Sequence, residues 1–211
     1  MIEKIDLKNI EKKAWASYFQ DGLFDIFLGL IALNFGIAPL IEDITGITYL
    51  ISYGIMLIVA FILFYTGKKY ITATRIGRAK FSGERKIKNR KTSLVLAISV
   101  IFGCIVLLIT ATNISPITSN IHFGAVVFGI NAVIVFSVMA YFLDFNRLYV
   151  YGWLFAGSIV LVEVSRGYVG TAYDNVIGFG TSGVIMICIG LAYLIRFLQR
   201  YPLTSEVLSH G

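Results

Sequence analysis

Of the polar side chains inside long apolar stretches, four are singled out as candidates: Asp25 near the start of the first, Asn131 in the fourth, and Glu163 and Arg166 in the fifth. An ionisable group inside such a run is costly and therefore a candidate for proton or ion handling. Asp21 and Asp25 are one helical turn apart and share a face. Two readings stay open for them. Carboxylates are favoured at a helix N-terminus by its dipole and its unpaired N–H groups, or Asp25 handles a proton or an ion. Asp21, at the edge, is expected to reach headgroup water. Glu163 and Arg166 are three residues apart, so an ion pair closing the end of a helix is the simple reading and a working carboxylate the sharper one. Asn131, in mid-run, suits an interhelical hydrogen bond.

The motifs of soluble enzymes are absent. His122 and His210 are the only histidines, so an H-E-x-x-H zinc site cannot form. Cys104 and Cys188 fall inside apolar runs, where a buried, inert thiol is the ordinary state. No cofactor and no metal site is implied, and the chain reads more as a non-enzyme than an enzyme. Gly178-Phe-Gly180-Thr-Ser-Gly183 spells G-x-G-x-x-G, but the dinucleotide fingerprint needs a strand before it and a βαβ unit around it. Here it opens an apolar run, where close helix packing explains it better. Ser99/Gly103, Ala125/Gly129 and Gly152/Ala156 are small pairs of the same kind. Gly180-Thr-Ser182-Gly183 also resembles the G-x-S-G nucleophile motif of rhomboid intramembrane proteases, which implies a Ser182–His122 contact. The resemblance covers four residues. That family places its serine before its histidine, and its other signatures are missing here.

The elements that must position these residues follow from composition. Hydrophobic residues make up 57% of the 211 and charged residues 14%, with mean hydropathy +0.81. A soluble domain carries about 25% charge. The apolar residues fall into six runs, at about 22–41, 47–66, 93–112, 121–143, 148–167 and 176–197. Each is long enough to cross a bilayer, which takes about 20 residues as a helix. Lipid offers the backbone no hydrogen-bond partner, and the alternation of a barrel is lacking, so the runs are helical. The fold class is an all-α integral membrane protein, a single bundle of about six transmembrane helices over residues 1–211. Asp144-Phe-Asn-Arg147 leaves room only for a tight hairpin between the fourth and fifth. Pro39, Pro116 and Pro202 stand where a helix can stop cheaply. No cleavable signal peptide is apparent, and the first run is expected to remain as an anchor.

Lys and Arg set the orientation. Six spans place the N-terminal lysines, the ten basic residues between Gly67 and Thr92, Arg147, Arg196 and Arg200 on one side, and only Arg166 of the 18 opposite. This predicts both termini in the cytoplasm of a cell-membrane protein. Residues 1–21 are an interfacial segment, 67–92 a basic cytoplasmic loop and 198–211 a cytoplasmic tail. Trp15, Trp153 and the tyrosines gather at the predicted interfaces. In the loop Arg75, Arg78, Lys80, Arg85, Lys86, Lys88, Arg90 and Lys91 are candidate contacts for an anionic inner leaflet. Aromatic platforms are too few for nucleic acid. A membrane-protein partner or a homo-oligomer completes the partners. For function the sequence favours a non-catalytic membrane component, accessory, assembly or lipid-associated. A small transporter or channel using Glu163, Asp25 and Asn131 comes second, and an intramembrane hydrolase a distant third.

Overall fold

The computed structural model describes residues 19–76, 83–111 and 123–202. Residues 1–18 of the expected interfacial segment, Arg78, Lys80, Pro116, His122 and most of the tail lie outside these residues, as do the side chains of Arg85 and Lys86. Among the described residues every regular element is helical. In chain order they are α1 (Leu23–Thr45), α2 (Tyr49–Gly67), a π turn (Lys68–Thr72), α3 (Ala73–Ile76), α4 (Gly83–Ala111), α5 (Phe123–Leu143), α6 (Arg147–Val169), α7 (Thr171–Asn175), a second π turn (Val176–Gly180) and α8 (Thr181–Arg200). Six of the described stretches are long and apolar enough to cross a membrane: α1, Tyr49–Ile76, Ile87–Val106, Gly124–Leu143, α6 and Ala172–Arg200.

Three sequence expectations need correction. Residues 67–92 are not a simple loop: the helix of α2 runs on to Ile76, and α4 has begun by Gly83. No residue from Lys68 to Ile76 is a Pro or Gly that would break it. Pro39 does not end its helix either. It costs one backbone hydrogen bond in mid-helix, and α1 continues to Thr45. Gly46 ends it in a left-handed conformation (φ 71°), donating its N–H to the Glu42 carbonyl. Cys104 and Cys188 are exposed and not buried, because an apolar run does not say which of its faces turns outward. The tight hairpin at Asp144–Arg147 is present, with Asp144 at φ 52°.

The core lies among α1, α5, α6 and α8. Leu28 and Ala32 meet Val135, Met139 and Ala140, Tyr151 and Phe155, and Met186. α1 packs on α2 and α8, α5 on α4 and α6, and α6 on the second π turn. α2 and α4 are the flanks. Only 11% and 17% of their apolar windows are buried, against 44% for α1. Helices that are apolar on the outside as well need an apolar surround.

The antiparallel crossing of α1 and α8 is a close backbone contact made by glycines. A Cβ on Gly29 would stand 2.9 Å from the Gly183 carbonyl oxygen, and one on Gly190 would stand 2.9 Å from that of Gly22. Gly22, Gly29 and Gly36 recur every seven residues, as do Gly183 and Gly190. Small side chains let two backbones approach where lipid supplies no hydrophobic drive.

Candidate functional site

The two acids at the start of α1 are the centre of the site. Gly22 adopts φ 73° and lies against Gly190, a turn open to glycine. Asp21 is thereby folded back beneath the first π turn. There it receives hydrogen bonds from Lys68 Nζ at 2.7 Å, from the Thr72 hydroxyl, and from the Leu23 N–H at 3.2 Å. Asp21 is fully buried. This corrects the expectation that it reaches headgroup water: Lys68 and Thr72 cover it.

Asp25 points the other way. Its Oδ1 accepts a hydrogen bond from the Tyr151 hydroxyl at 2.6 Å, and its Oδ2 stands 3.1 Å from Arg147 Nη1. Arg147 and Tyr151 are four residues apart on α6 and so share a face. The guanidinium also donates to the Phe19 carbonyl at 2.5 Å and lies 3.7 Å from the centre of the Tyr193 ring on α8. Planar Arg is suited to such a stacked and hydrogen-bonded position. Two carboxylates and two cations therefore join α1 to α6, α8 and the end of α2.

At the opposite end Arg166 Nη1 stands 3.4 Å from Glu163, and its Nε stands 3.6 Å from Asp174. Asp174 is fully buried and also accepts from the Asn175 backbone and side-chain N–H groups. Sequence reasoning paired Glu163 with Arg166 but did not see Asp174, because α7 folds back through the turn at Gly170 (φ 89°).

No protein family, curated protein or solved structure matches the chain.

The remaining candidates separate. Asn131 on α5 donates to the Ser99 hydroxyl on α4 at 3.0 Å. It borders an open apolar groove of about 480 Å³ between those helices, whereas Glu163 borders another of about 570 Å³ between α5 and α6. Ser182 is buried, its hydroxyl 2.6 Å from that of Ser158. Gly178 and Gly183 line close helix contacts, Gly178 against the Ser158 carbonyl and Gly183 against Leu33. Among the basic candidates, Arg75 donates to the Tyr201 carbonyl at 2.5 Å and Lys88 stands 3.6 Å from Asp144. Sequence reasoning missed Lys68, Thr72, Arg147, Tyr151 and Tyr193. One signal was available: Arg147/Tyr151, the partners of Asp25, and Lys68/Thr72, the partners of Asp21, are each a donor pair four residues apart.

Proposed function

We propose that the chain is a multi-pass protein of the cell membrane, both termini cytoplasmic, and that it serves as a non-catalytic component whose bundle supports assembly or lipid association. One observation carries this reading. Among the described residues, charged groups gather in two clusters at opposite ends, the buried Asp21, Asp25 and Lys68 with Arg147 at one and the buried Asp174 with Glu163 and the half-exposed Arg166 at the other, with the apolar core of Leu28, Ala32, Phe155 and Met186 between them. Polar groups used in this way join helices, and buried ion pairs contribute more to specifying an arrangement than to net stability. The Asp21 end faces the cytoplasm on this reading, and the basic segment from Arg75 to Lys91 lies against anionic lipid.

The transporter alternative needs Asp25, Asn131 and Glu163 on one polar path. The two grooves that Asn131 and Glu163 border are apolar and lie on either side of α5, with Ile130 and Ile134 on the wall of both. The test is the full chain in proteoliposomes under an imposed pH gradient and potential, with internal pH followed by a trapped dye. Proton flux equal to that of protein-free vesicles is the result that agrees with the proposal. A flux that Glu163→Gln or Asp25→Asn abolishes in a folded protein would put the transporter first.

A further inference from the structure

The first π turn changes which side chains α2 presents to α1. Phe64 packs on the rings of Phe24 and Phe27, and Ala60 is buried. Along an uninterrupted α-helix, the residue below Phe64 after two turns is the seventh on, Ile71. The π turn takes in one extra residue. The residue that arrives is then the eighth, Thr72, and its hydroxyl is bonded to Asp21. The same added residue turns everything that follows by about 100° relative to the α register. It thus directs α3 so that Arg75 meets the Tyr201 carbonyl at the end of α8.

We propose that the π turn at Lys68–Thr72 is a two-position joint latched by Asp21, and that the latch sets the direction in which the basic segment leaves α2. In the latched position Asp21 holds Thr72 and Lys68. When the carboxylate is lost, Thr72 has no charged acceptor, and the long Lys68 side chain extends toward water. The turn then relaxes to the commoner α geometry, Ile71, which lines a groove with Leu23 and Ile26 of α1, moves into the place that Thr72 held, and α3 swings away from Tyr201. The joint links a buried acid to the placement of the chain's most basic stretch, whichever way the bundle faces.

The test uses the full chain in nanodiscs with Cys104 and Cys188 replaced by Ser and spin labels at Thr74 and Gln199, both exposed. Asp21→Asn should move the interlabel distance by about 4–8 Å, the displacement of a side chain turned through that angle about a helix axis. Deletion of Tyr70 in the Asp21→Asn background makes Thr72 the seventh residue after Phe64, so an α-helix now delivers it. That variant should restore the original distance to within about 1.5 Å, one residue's rise. An unchanged distance in Asp21→Asn, or a shift that the deletion leaves in place, overturns the proposal. Should Asp21→Asn fail to fold, Thr72→Val is read in the same way: it must shift the distance, and an unshifted distance overturns the joint.

Discussion

Tyr151 donates its hydroxyl to Asp25 at 2.6 Å across 126 residues of chain, and both side chains are buried. With Arg147 on the other carboxylate oxygen, the contact ties the first and fifth span-length helices at one end.

A double-mutant cycle on Asp25 and Arg147 should show strong coupling. Asp25→Leu alone strands a guanidinium and Arg147→Met alone strands a buried carboxylate, each costing about 3–5 kcal/mol. The double variant should recover most of that loss in thermal unfolding in detergent. Additive losses would show that the two groups do not act as a pair.

The glycine crossing gives a contrast within one protein. Gly183→Ala sets a Cβ 2.7 Å from the Leu33 backbone nitrogen, whereas a Cβ at Gly157 has nothing within 4 Å. Gly183→Ala should cost about 1–3 kcal/mol, and Gly157→Ala should leave the melting temperature unchanged or raise it. Equal behaviour of the two would remove the crossing as a determinant of stability.

Arg166 serves two acids, so its removal should not be repaired by removing one of them. Glu163→Gln with Arg166→Met should remain destabilised because Asp174 stays buried. Adding Asp174→Asn should recover stability. Full recovery in the double variant would mean that Asp174 is independent of Arg166.

The proposed orientation is open to labelling in intact cells. Single cysteines at Thr45 and Tyr173 should react with an impermeant thiol reagent from outside, and those at Thr74 and Gln199 only after permeabilisation. The opposite pattern would invert the topology.

The sequence by itself determined the six span-length helices and most of their limits. Run length and the absence of charge act locally, and lipid leaves the backbone one solution. The helical period of about 3.6 residues also placed Glu163 with Arg166, which lie within one turn of α6, but not Asp21 with Asp25, because Gly22 (φ 73°) turns Asp21 out of α1 and the two acids take different partners. It could not place Arg147 on Asp25, Lys68 on Asp21 or Asp174 on Arg166. Those depend on which helix lies beside which, and in an apolar sequence most faces look alike. The tertiary structure decided them through the glycine crossing of α1 and α8, which fixes the neighbours of α1, and through the two π turns. A π turn moves one residue across the register, and Thr72 there meets Asp21, a partner 51 residues away in the chain.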